Sequence, residues 1–67
     1  MKPLTRKQAA ILEQISEGKR IDEIAEAAGM SESAAHQHVQ RAKVKLGART
    51  TAQLVVLYDR MKREDWT

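Results

Sequence analysis

The chain of 67 residues has no cysteine, no phenylalanine and a single proline. Without cysteine, neither a disulfide nor a thiolate-held zinc can staple so short a fold, and the composition suits a reducing, cytoplasmic setting. No apolar run approaches the roughly 20 residues that a membrane span requires. Met1, Lys2 and Pro3 lead straight into a polar helix start rather than into the apolar stretch of a signal peptide, so a soluble, unprocessed protein without membrane contact is expected. A glycine-rich phosphate loop and a nucleophile motif are both missing. Asp22, Glu23 and Glu26 read as charges at a helix N-terminus rather than as catalytic acids, and neither an enzyme nor a cofactor is expected. Internal repeats are absent as well. The length permits one domain, residues 1–67, and a chain this short buries only about 60% of the surface its unfolded form exposes, so a partner subunit would add stability.

Acidic residues are missing from one segment in particular. Residues 1–32 carry five Lys/Arg against six Asp/Glu, and residues 59–67 carry three against three. Between them, residues 33–58 hold Arg41, Lys43, Lys45 and Arg49 and no acid at all. The modest net charge of +3 therefore belongs to one element, as expected of a surface that meets a polyanion.

What the chain does contain is Ala, Glu, Lys, Gln and Arg in the proportions of an all-α fold. Four helices are expected, over about 6–17, 21–28, 32–46 and 51–64. Thr5 and Gln8 have the spacing of a capping box, Leu4 can pack on Ala9, and Ile11, Leu12 and Ile15 form an apolar face before Gly18. The second helix starts without a side-chain acceptor at Arg20, although Asp22 and Glu23 complement its positive end. Ile24, Ala25 and Ala28 have the spacing of its buried stripe. Gly29 can take a left-handed turn, Met30 can plug the core and Ser31 can cap the next helix. Two helices joined by so tight a glycine turn form a helix-turn-helix unit.

In the third helix Ala35, Val39, Ala42 and Leu46 fall on one core-facing line. Ser33, Gln37, Gln40, Arg41 and Val44 point the other way, with His36, His38, Lys43 and Lys45 on the flanks. Gln can pair bidentately with adenine, and Arg with guanine or a phosphate. Ser33 and the free amides beside it can hold a phosphate. The two histidines are two residues apart and diverge around the helix, with no third ligand to complete a metal site. His38 is expected at the core boundary with one nitrogen hydrogen-bonded. After Gly47, Thr50 and Gln53 offer a second, reciprocal capping box. In the fourth helix Leu54, Leu57, Tyr58 and Met61 share a face and Val55 and Val56 lie outside it, a surplus of apolar surface that points to a subunit contact. Trp66 has its place either against this helix, at that contact or in a loose tail.

The residues from Leu4-Thr5 through Ile11-Leu12, Ile15 and Gly18, then Glu23-Ile24-Ala25, Gly29-Met30-Ser31, His38-Val39 and Lys45-Leu46-Gly47 with Arg49 resemble the LuxR/GerE-type C-terminal DNA-binding domain of bacterial transcription regulators. The resemblance covers nearly the whole chain without a gap. It implies a four-helix domain that binds double-stranded DNA with its third helix in the major groove and forms a homodimer through its fourth. His36, Gln37 and Gln40 fall where such proteins contact base edges or the groove, and Arg41 and Lys45 where they contact phosphates. Leu54, Val55, Val56, Leu57, Tyr58 and Met61 fall in the dimer contact. Several positions depart from the pattern. Ala34 and Ala35 replace a Thr-Val pair and remove a hydroxyl suited to a phosphate, His36 replaces a common Lys, Arg20 and Ile21 replace a small polar pair, and Thr51 replaces a common Arg. Family members usually carry a receiver or ligand-binding domain ahead of this unit, and here three residues precede Leu4, so a stand-alone regulator is expected. A weakened phosphate set also fits a module that forms mixed dimers with a full-length LuxR-type regulator and inactivates it. The run Arg41-Ala42-Lys43-Val44-Lys45-Leu46 is similar to region 4 of a sigma factor too, where the partners would be a promoter element and RNA polymerase.

Overall fold

Thr5 starts the first helix by the exchange its spacing predicts: its hydroxyl accepts from the Gln8 amide at 3.1 Å, and the Gln8 carboxamide oxygen accepts from the Thr5 amide at 3.2 Å. The computed structural model describes residues 4–66, the last two as helix backbone, so the Trp66 side chain and the remaining residues of the single-domain reading lie outside the described part. Helix α1 (Arg6–Ser16) stops one residue short of the expected 17, because Glu17 is its C-cap. Helix α2 (Ile21–Ala28) has no side-chain acceptor at Arg20, as expected. Its start is nevertheless held. The Glu23 carboxylate accepts from the Arg20 amide at 3.0 Å, and Asp22 accepts from the Glu23 amide at 2.9 Å.

Gly29 takes a φ of +69°, the left-handed region that side-chain-bearing residues resist, and the Met30 amide then bonds back to the Ala25 carbonyl at 3.0 Å. The chain reverses within three residues. Ser31 caps helix α3 (Glu32–Leu46) by accepting from the Ala34 amide at 3.1 Å. Gly47, at φ +71°, closes α3 in the same way, and helix α4 (Thr51–Trp66) extends two residues beyond the expected 64. Thr50 accepts from the Gln53 amide at 3.0 Å, but Gln53 returns its bond to the Arg49 amide at 2.8 Å rather than to Thr50. The last turn before α4 is therefore tied one residue further back than a capping box requires. The four helices are the only regular elements among the described residues, and the fold is all-α. None of these helices is long and apolar enough to cross a membrane.

Helix α3 packs against each of the other three, whereas α2 and α4 do not touch. The core takes Ile11 and Leu12 from α1, Ile24 from α2, Val39 and Ala42 from α3, and Leu54 and Tyr58 from α4, with Leu4 closing one edge. Ala35 is also fully buried on α3. Ala28 departs from its expected stripe and is exposed at the end of the two-turn α2, while Met30, arriving through the Gly29 turn, packs on the core. Leu54 and Tyr58, expected in the dimer contact, are 0% and 2% exposed within this chain. They are core residues because α4 turns that face onto α1 and α3, with half-buried Met61 packed against the same core, which leaves Val55, Val56 and Leu57 as its outer apolar surface.

A polar brace joins α1 to α4. The Tyr58 hydroxyl donates to Glu13 at 2.8 Å, and the Lys62 ammonium donates to both Glu13 oxygens at 2.7 and 2.9 Å. Hydrogen bonds from Lys62 and Tyr58 hold the Glu13 carboxyl below its ordinary pKa. Burial, reinforced by the Glu13 carboxylate, pushes the Tyr58 phenol up to about 12.

Two predictions follow from this packing and its brace. Leu12→Ala or Leu54→Ala removes a side chain with no exposed surface, at a cost of about 2–5 kcal/mol. Because that is comparable with the whole stability of so small a domain, circular dichroism should show most of the helix signal gone at ambient temperature. For Tyr58 the folded form keeps a proton that the unfolded chain loses near pH 10, so the contribution is intact below about pH 10 and declines toward about pH 12. Denaturant melts should weaken over that window by at most ~1.4 kcal/mol per pH unit. Phenolate absorbance of this sole tyrosine should titrate well above that of free tyrosine; an ordinary midpoint would remove the brace.

Candidate nucleic-acid interface

The phase of α3 decides which of its side chains can reach a ligand. With 3.6 residues per turn, Ala35, Val39 and Ala42 face inward and are buried. Ser33, His36, Gln37, Gln40, Arg41, Val44 and Lys45 are all exposed. The expected outward row therefore exists as a continuous strip on the face away from the core. Val44 is the extreme case at 82% exposure.

Charge on this strip is nearly of one sign. Glu32 is its only acid and sits at the N-terminal end of α3, where its carboxylate lies 3.7 Å from the His36 Nε2. Arg41 and Lys43 make no ion pair among the described residues and keep their full donor capacity. Two thirds of α3, from Gln37 onward, thus presents amides and cations with nothing to repel a phosphate.

Lys45 is placed by a contact that the sequence does not announce. Its ammonium donates to the Gln8 carboxamide oxygen at 3.1 Å, the same oxygen that accepts from the Thr5 amide. Gln8 is 4% exposed, so a polar residue read only as a helix cap is in fact buried between α1 and α3. Thr5 at the N-cap of α1, Gln8 within it, and Gln40, Arg41, Val44 and Lys45 of α3 line one open groove of about 500 Å³. Ser33, His36 and Gln37 lie one to two turns earlier on α3, outside it. The groove escaped the sequence reading because its two walls are 37 residues apart and no local pattern connects them.

The histidines divide as their phases require. His36 is on the exposed strip, and His38 is half-buried at the core boundary. The expected hydrogen bond at His38 is not formed to protein: its Nδ1 is buried and has no partner among the described residues.

A short α2, a three-residue glycine turn and an outward-facing, cation-bearing α3 define the helix-turn-helix class of domain. The GerE family model, described as bacterial regulatory proteins of the luxR family, matches residues 2–58, and the chain belongs to that family. At family level it is a DNA-binding regulator. No curated protein and no solved structure matched the chain significantly.

Proposed function

We propose that the chain is a sequence-specific binder of double-stranded DNA that acts as a homodimer in the cytoplasm, with one α3 in the major groove of each half-site. The observation that carries this reading is the exposed strip from Ser33 to Lys45, free of acids after Glu32. In this reading Gln37 and Gln40 read base edges, and His36 lies beside them in the groove. Arg41 and Lys45 grip phosphates, and Ser33 adds a hydroxyl near the start of α3. The phosphate set is modest, because Ala34 offers no hydroxyl and one of the three Lys45 donors is engaged by Gln8. Selectivity then depends on the two glutamines, each good base contact contributing about 1–3 kcal/mol of discrimination.

The homodimer rests on α4. Val56 is 58% exposed and Val55 and Leu57 are half-buried on the side of α4 that the core leaves open. A self-complementary contact of this kind would set the spacing of two half-sites.

Binding to a pool of genomic fragments at two salt concentrations tests the DNA reading. Selective enrichment with a steep loss of affinity at higher salt is expected. Gln40→Ala should relax the selected sequence, while Arg41→Ala should weaken all fragments and lower the salt slope by about one. If no fragment is enriched at either salt while a luxR-family regulator co-purifies, the function moves to mixed-dimer formation. For the dimer, Val56→Asp and Leu57→Asp should each sediment at half the wild-type mass; an unchanged mass for both would place the contact elsewhere.

A further inference from the structure

Val44 is an apolar side chain where the surface around it is polar and cationic. It is 82% exposed, the largest exposure among the large hydrophobic residues described, and it lies between Arg41 and Lys45 on the outer face of α3. Its packing on the core is nil, so the fold gives no reason for an aliphatic residue here. A protein partner would need a broader apolar patch than this one. The neighbours that share the groove with Val44 are Thr5, Gln8, Gln40, Arg41 and Lys45, all polar or charged. A ligand that suits a single exposed aliphatic inside a cationic strip is a polyanion carrying isolated methyl groups.

Helical geometry makes the match specific. Gln37 and Val44 are seven residues apart, nearly two full turns, so they project in almost the same direction about 10 Å apart along the axis. Gln40 and Val44 are separated by about 6 Å. With base pairs stacked about 3.4 Å apart, these offsets correspond to roughly three and two base-pair steps. The same helix face that sets Gln37 and Gln40 over base edges sets the Val44 methyls over the floor of the groove further along. The 5-methyl of thymine is the apolar group exposed there.

We propose that Val44 is a specificity-determining residue that contacts the 5-methyl group of a thymine, two to three base pairs from the positions read by Gln40 and Gln37. The inference rests on the DNA-binding reading and names one base preference within it. The half-site then requires a thymine at a fixed offset from an adenine. Arg41 and Lys45, on either side of Val44, hold the backbone that carries this base, so the methyl contact is made where phosphate contacts already fix the register.

Deoxyuridine substitution tests the contact directly, because it removes one methyl group and leaves base pairing intact. In a fragment selected by the wild-type protein, each thymine of one half-site is replaced in turn and binding is measured for wild type and Val44→Ala. One position should weaken wild-type binding about fourfold, the value of one buried methyl group, and should be neutral for Val44→Ala. Val44 has no core contacts, so the variant should melt as wild type does. Neutral replacement at every position, or an equal loss in both proteins, overturns the role of Val44 while DNA binding stands. Failure of the wild-type chain to select any fragment overturns the DNA reading and this inference with it.

Discussion

Every other helix of this protein is positioned against α3, and the side of α3 that receives them is built largely of small residues. Ala35 and Ala42 are fully buried and Val39 nearly so. Side chains this short let α1, α2 and α4 approach the α3 backbone, and interhelical distance follows the size of the residues at the contact. Since α2 and α4 do not touch, α3 is the common member that holds the bundle together. The arrangement ties the stability of the fold to the helix proposed to read DNA. One face of α3 is used by packing, and the opposite face stays exposed, with Lys45 alone of its cations bonded to another helix, through Gln8.

The caps fix how this helix enters and leaves the bundle. Ser31 and the left-handed Gly29 determine its starting direction, and left-handed Gly47 ends it before the chain turns into α4. Three local devices within about twenty residues thus set the position of a surface that carries no core contacts of its own. The Glu13, Tyr58 and Lys62 brace completes the frame by tying α1 to α4 beside their shared apolar core.

The helices and their turns were legible in the sequence because their determinants are local. Thr5 with Gln8, Gly29 with Ser31, and the four-three-four spacing of Ala35, Val39, Ala42 and Leu46 each act within a few residues. Contacts between distant segments were not legible. Periodicity marked Leu54 and Tyr58 as an apolar face of α4, but it cannot say whether a face is covered by the same chain or by another, and here the chain's own core covers it. The Lys45 to Gln8 bond and the Glu13 cluster join residues 37 to 49 positions apart, beyond any local pattern. Gln8 was readable as a cap and unreadable as a buried partner. For the candidate interface, the strip on α3 followed from helical phase, and the α1 wall of the groove did not.

The bond between Lys45 and Gln8 has a thermodynamic meaning for any anion that reaches the groove. A free lysine side chain samples many rotamers and carries about 2 kcal/mol of rotamer entropy. Here the ammonium is tethered to α1 at 3.1 Å by a neutral acceptor that leaves its charge uncompensated. Part of the ordering is complete before a ligand arrives, and the remaining donors of the ammonium stay available. Lys45 is in this sense a preorganised cation, and Gln8, a residue with almost no exposed surface, is the group that keeps it so.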